Sequence, residues 1–321
     1  MNNPVFISLL YRSGSTLLSL ILDQSNEISS TSDTIHFMRF SYNKYLPIEE
    51  NYKTLVEDTA SRIKEKWGFE LNQEDVLKRV SEHSKISQAV VYDSLVRSFL
   101  NLNNSQRWCD RTAVGWERIP DFLEMFPNGK ALHIYRDPRA VLLSFKKYTF
   151  LKEPAYLDSI FASSALFNFL NRKSIKENPN IFQLKYEDLV AEPENEIKTL
   201  CNFLEIEYTP KMLDVKNFKD KFGNSFDGNS SHFKGKSKID NSSVNIWKNQ
   251  LSKVEIYFTE HILGKELDWF GYEKENLELN KDEQIEFNEL VEHPYIAKRY
   301  NFWKNNGTGL QAYPDTPNAY N

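Results

Sequence analysis

Apolar residues along this chain fall into short unbroken runs and into longer stretches where they return every three or four positions. The runs read as buried strands and the periodic stretches as helices packed by one face. The first run, PVFISLLY at 4–11, stops at Arg12-Ser13-Gly14-Ser15 and predicts a strand entering a tight turn. TLLSLILD then predicts a helix from Ser15 to Asp23. Residues 50–104 are polar and charged, with apolar returns at Leu55, Ile63, Trp67, Val76, Val80, Val90, Leu95 and Leu100, and predict several helices. SQRWCDR at 105–111 is a second strand, and KALHIY at 130–135 a third. Arg136-Asp137-Pro138 ends the third strand, and Pro138 opens a helix carrying Val141, Leu142, Leu143 and Phe145.

IFQLKYEDL, from Ile181, reads as a further strand, and NEIKTLCNFLEI after Pro193 has helical spacing at Ile197, Leu200, Cys201 and Leu204. Strands alternating with helices predict an α/β fold with a central, mainly parallel sheet flanked by helices. Between Asp214 and Asp240 the chain becomes polar, with Lys216, Lys219, Lys221, Lys234, Lys236 and Lys238, and predicts a basic loop. A helix is expected from Ser243, with Trp247, Leu251 and Ile256. From about Leu277 the chain is polar and aromatic (Tyr295, Tyr300, Phe302, Trp303, Tyr313, Tyr320); these rings are expected to pack on the core, with lining of an acceptor pocket or stacking on a sugar as the alternatives. With no repeat and no clean linker, the division is one domain over 1–275 and a C-terminal extension over 276–321, packed on or near it.

Composition narrows the chemistry. A net charge of −5 gives no general attraction for nucleic acid or anionic membrane, so an anionic ligand needs a local cluster of cations and amides. Cys109 and Cys201 cannot build a disulfide framework, and no metal-ligand spacing occurs among the cysteines and six histidines. The N-terminal apolar run is broken by Arg12, Ser13 and Gly14 and lacks a basic leader, unlike a signal peptide. No stretch approaches the roughly 20 apolar residues of a membrane span. A cytoplasmic protein is expected.

Two segments carry the chemistry. In Arg12-Ser13-Gly14-Ser15-Thr16, Gly14 permits close backbone approach and the helix start supplies free amides. The hydroxyls of Ser13, Ser15 and Thr16 and the charge of Arg12 complete a candidate 5′-phosphate site, although an N-capped helix after a strand gives the same pattern. A Walker A motif is absent, since no lysine follows Gly14. In the second segment Arg136 stands at a strand's carboxyl end, where ligands of open α/β sheets collect. Ser144 follows two helical turns later. The pair is a candidate for a second phosphate, and a salt-bridged structural arginine is the alternative.

Together these segments resemble the sulfotransferases that use 3′-phosphoadenosine 5′-phosphosulfate (PAPS). In that family [KR]-S-G-[ST]-T after a strand grips the 5′-phosphosulfate, here Arg12 to Thr16. R-[DN]-P with a serine eight residues on grips the 3′-phosphate, here Arg136 and Ser144. LKYEDLVAEP resembles the family's Y-E-D-L…P segment, whose tyrosine, Tyr186 here, lies near the adenine. GKSKIDNSSVNIWKNQLS resembles the late loop and helix over the cofactor, with Gly235 and Lys236 as contacts. The resemblance covers roughly residues 4–275, with gaps over 40–104, and implies a P-loop-like sulfotransferase fold. It further implies PAPS as co-substrate, 3′-phosphoadenosine 5′-phosphate (PAP) as product, in-line transfer to a hydroxyl or amine, and no catalytic metal.

The general base departs from the best-known family pattern, a lysine followed two positions later by histidine. From Arg111 that spacing reaches Ala113. Other members use a glutamate soon after the first helix; SSTSDTIHFM offers Asp33 and His36 there, with Asp110 behind them. Asp33 holds roughly the carboxylate's place, while His36 has the better-matched ordinary pKa. Arg12 is expected to neutralise charge on the leaving phosphate, with Arg111 a second cation near the sulfuryl group. Two other classes stay open: a nucleoside or small-molecule kinase, which requires ATP with magnesium, and a non-catalytic 3′-phosphonucleotide-binding protein, which binds without turnover. The sequence identifies neither the acceptor nor the oligomeric state.

Overall fold

The computed structural model describes residues 3–148, 154–219, 222–226 and 238–310. β1 (Val5–Leu9) turns through Arg12–Gly14 into α1 (Ser15–Asp23), followed by β2 (Ile28–Ser30) and the short α2 (Phe37–Phe40). The polar stretch folds as α3 (Ile48–Trp67), α4 (Gln73–Ser81) and α5 (Gln88–Phe99), with Asn72 and Ser87 side chains capping the last two. β3 (Arg107–Ala113), α6 (Ile119–Met125), β4 (Lys130–Tyr135) and α7 (Pro138–Tyr148) come next. Then follow α8 (Asp158–Leu170), α9 (Lys173–Lys176), β5 (Ile181–Lys185), α10 (Tyr186–Ala191) and α11 (Pro193–Leu204). The chain continues as α12 (Trp247–Gln250), α13 (Lys253–Trp269), α14 (Lys281–Glu292) and α15 (Pro294–Asn306).

The strands form one parallel sheet in the order β2-β3-β1-β4-β5, flanked by helices, as expected for the α/β class. β1 pairs with both β3 and β4, setting Ile7 beside Arg111 and Leu132, and all five of its residues are buried. A mostly apolar run such as VFISL, interrupted only by the small Ser8, suits a strand covered on both faces. On one face Phe6 stacks on Phe122 of α6 at 5.1 Å, and Trp108 and Tyr92 close around them.

Three boundaries differ from the sequence reading. YEDL is helical, not extended: Glu187 and Asp188 fall in the first turn of α10, where the helix amides favour acidic side chains. The helix expected from Ser243 begins at Trp247, breaks at Leu251 in extended conformation, and restarts behind a capping box of Ser252 and Glu255. β2, three residues long, gave no periodic signal. Of the C-terminal aromatics, Tyr300 and Trp303 pack against the core while the Tyr295 hydroxyl donates to Asp158 at 2.5 Å; Tyr313 and Tyr320 lie outside the described residues. No helix among the described residues is long and apolar enough to cross a membrane.

His133, inside β4, is fully buried with neither ring nitrogen hydrogen-bonded, and burial pushes its pKa down to about 3. The unfolded chain binds a proton below pH ~6.5 that the fold refuses, so this residue costs stability as pH falls from there toward 3. From pH 7 to pH 5 the loss is about 2 kcal/mol. His133→Leu is expected to flatten the fall of Tm over that window relative to wild type. Comparing the two proteins cancels the opposite contribution of Asp110 and Glu187, whose pKa values burial raises. Parallel curves for the two would mean the ring is not held neutral.

Candidate active site

Strand order places the site. β2 and β3 lie to one side of β1 and β4 and β5 to the other, so the crevice beyond the carboxyl ends of β1 and β4 is the topological switch point. There the turn after β1 and the turn after β4 bound a cavity of about 450 Å³, within the range of small-ligand sites. Among the described residues, Arg12, Arg111, Arg136, Lys147 and Lys219 line it, against the acids Asp33 and Asp240. A chain of net charge −5 thus concentrates positive charge at one cleft.

The two motif segments are stitched together. Arg12 Nε donates to Ser144 Oγ at 2.8 Å, and Arg136 Nη1 donates to the Arg12 carbonyl at 3.3 Å. Arg136 Nη2 donates to the Ser243 carbonyl at 2.9 Å while its guanidinium lies 4.3 Å over the Tyr186 ring. Tyr186 Oη and Ser243 Oγ share a hydrogen bond at 3.0 Å. Gly14, at φ 95°, precedes α1 with no side chain capping the helix, leaving its first amides to the cleft. A Cβ there would stand 2.2 Å from Tyr186 Cδ2, so the close approach of loop and ring requires glycine.

Arg111, reaching from β3, binds the other side. Its Nη1 donates to Ser15 Oγ at 3.1 Å and Thr16 Oγ1 at 3.0 Å, and its Nη2 lies 3.3 Å from Asp33 Oδ2. Ser32 and Asp33 both have left-handed backbone, φ 50° and 71°, strain that collects at functional sites.

The sequence profile of the sulfotransferase family matches residues 4–210. The chain belongs to the sulfotransferase family. A putative protein-tyrosine sulfotransferase of Caenorhabditis briggsae is 23% identical over 259 residues, 76% of this chain and 80% of that protein. Cytosolic sulfotransferase 7 of Arabidopsis thaliana is 31% identical over 114 residues; the match spans 30% of this chain and 35% of the plant protein. Among solved structures, the sulfotransferase domain from the curacin biosynthetic pathway superposes with a TM-score of 0.52 at 22% identity, covering 85% of this chain and 99% of that domain, which shows a shared fold.

Of the residues singled out from sequence in this sulfotransferase, Arg12, Gly14, Ser15, Thr16, Asp33, Arg136, Ser144 and Tyr186 all line the cleft. Ser13 is buried behind the loop. Gly235 and Lys236 lie outside the described residues. His36 does not reach the cleft. It is buried behind Asp33, with Nε2 3.1 Å from the Asp33 carbonyl and 3.2 Å from Oδ1. Both partners are acceptors, so Nε2 carries the proton, and burial lowers the pKa to about 3, keeping the ring neutral. Asp110 is sealed in the core, accepting from Thr31 at 2.6 Å and Tyr92 at 2.5 Å, with its pKa raised by burial.

Sequence reasoning passed over Tyr11, Lys147, Ser243 and Trp247 as individual cleft residues. Tyr11, read as a strand end, sits at the cleft and accepts from Arg39 Nη1 at 3.0 Å. Trp247 rests 4.0 Å from the Arg139 guanidinium, which Asp137 and Glu260 hold at 2.8 and 2.7 Å. Position in the family-like segment was the available signal for Ser243 and Trp247.

Proposed function

We propose that this chain transfers a sulfuryl group from PAPS to a hydroxyl or amine of its acceptor and releases PAP. The observation that supports this reading is the Arg12–Ser144 bond, which joins the glycine loop and the Arg136 turn in one cleft lined by Arg12, Arg111 and Arg136. The residues fit such a ligand. Gly14, Ser15, Thr16 and the amides of α1 bind the 5′-phosphosulfate, with Ser13 setting the loop from behind. Arg136 and Ser144 bind the 3′-phosphate, and the Tyr186 ring faces the adenosine. Gly235 and Lys236 are further contacts by resemblance. Residues 276–321 form an extension to the transferase domain.

In the transfer, the acceptor oxygen forms a bond to sulfur as the bond from sulfur to the bridging oxygen breaks. The electron pair leaves on PAP, and the acceptor proton passes to Asp33. Such displacements need little covalent help, so positioning and charge stabilisation dominate. Arg12 offsets charge on the leaving phosphate, and removal of a preorganised donor of this kind costs about 2.7–4 kcal/mol of barrier. Arg111 holds Asp33 on one side and two loop hydroxyls on the other, which fixes the base against the sulfuryl position.

Calorimetric titration with PAP, ADP and ATP with magnesium tests the reading. PAP is expected to bind best, and Arg136→Ala to weaken PAP at least tenfold more than ADP. Equal losses for both nucleotides would remove Arg136 from the 3′-phosphate. Best binding by ATP with magnesium would turn the assignment to a kinase, and PAPS binding without turnover on any acceptor to a binding protein.

A further inference from the structure

The cleft-facing stripe of α7 reads Ala140, Leu143, Ser144 and Lys147, the spacing that aligns side chains along one helix face. Lys147 stands about 4.5 Å beyond Ser144 along the axis, within easy reach of the same ligand group. Its neighbour Lys146 is neutralised, with Nζ 2.9 Å from Glu255 Oε1. Lys147 is not. Its ammonium donates to the neutral side-chain oxygen of Gln250 on α12, the helix that also sets Trp247 in the cleft. Meanwhile both terminal nitrogens of Arg136 are engaged by carbonyls, and Ser144 Oγ accepts from Arg12. A phosphate dianion at this end would meet the Arg136 charge, the N–H groups that these bonds leave open and the Ser144 hydroxyl proton, and its oxygens can still take further donors. A lysine supplies three, on a stem long enough to swing from Gln250.

We propose that Lys147 is a further nucleotide-binding residue, whose ammonium takes the phosphate held by Arg136 and Ser144 and gives the cleft its preference for a 3′-phosphorylated nucleotide. The inference rests on the reading of that end of the cleft as the 3′-phosphate site. At the C-terminal turn of α7, where the helix dipole disfavours an anion, a cation without a carboxylate partner is what such a phosphate needs.

The test titrates the full chain and its Lys147→Ala, Lys147→Arg and Ser144→Ala variants with PAP and with adenosine 5′-phosphate, at two salt concentrations. Lys147→Ala is expected to weaken PAP about tenfold, as for loss of one charged hydrogen bond, and adenosine 5′-phosphate less than twofold. Lys147→Arg should retain most of the PAP affinity, and the alanine variant should show the shallower salt dependence. Unliganded melting curves should match, since Lys147 is exposed. Equal losses for both nucleotides, or an unchanged PAP affinity, would overturn the assignment. Failure of the underlying reading is visible separately: the wild-type protein would then show no preference for PAP over adenosine 5′-phosphate.

Discussion

Gly14→Ala is expected to lower PAP affinity by more than tenfold and to cost stability as well. Two effects add. At φ 95° an alanine meets its own carbonyl oxygen, a cost of about 1–2 kcal/mol. The new methyl also stands 2.2 Å from Tyr186 Cδ2 and 2.7 Å from Cε2, so loop or ring must move. The ring is not free to do so quietly, because it supports Arg136 at 4.3 Å and is tied to Ser243 at 3.0 Å. Displacing it therefore disturbs both the glycine loop and the Arg136 turn. Calorimetry with PAP and a melting curve measure the two parts. Gly14→Ala combined with Tyr186→Ala should lose less than the sum of the single losses, since removing the ring removes the clash. Strict additivity would mean that loop and ring do not share this contact in solution.

What the sequence made legible was local. The turn Arg12–Thr16 and the pair Arg136 and Ser144 stand beside buried apolar runs, and strand, turn and helix there lie within a dozen residues. The parallel sheet followed from the same alternation. Long-range contacts were illegible because nothing in linear spacing encodes them. Lys146 and Lys147 are adjacent and chemically alike, and what separates them is Glu255, 109 residues away. The sequence offered both Asp33 and His36, with Asp33 preferred for its place after the first helix; burial puts Asp33 on the cleft and His36 behind it. YEDL misled as a strand because its extended partner IFQLK runs straight into it, and only the helix amides reveal why Glu187 and Asp188 sit where they do.

Asp33→Asn carries the largest expected effect on turnover: a loss of about 10²–10⁴-fold in kcat, the range for removing a positioned general base, with PAP affinity near that of wild type. The substitution keeps shape and most contacts. An asparagine oxygen can still accept from Arg111 Nη2, now 3.3 Å from Oδ2, and the His36 proton can still meet the backbone carbonyl at 3.1 Å. What disappears is the capacity to take a proton. PAP release from PAPS, with an acceptor found by screening labelled transfer, gives kcat; calorimetry gives the PAP affinity. His36→Gln separates chemistry from placement: as a positioning residue behind Asp33 it should lower kcat far less than Asp33→Asn. Its neutral ring should also leave no titration of its own near pH 6.5 in the rate profile. A near-normal kcat in Asp33→Asn would remove the carboxylate from the proton transfer while leaving the nucleotide cleft intact. A fall in PAP affinity as large as the fall in rate would instead make Asp33 a brace for Arg111 and the hydroxyls of Ser15 and Thr16.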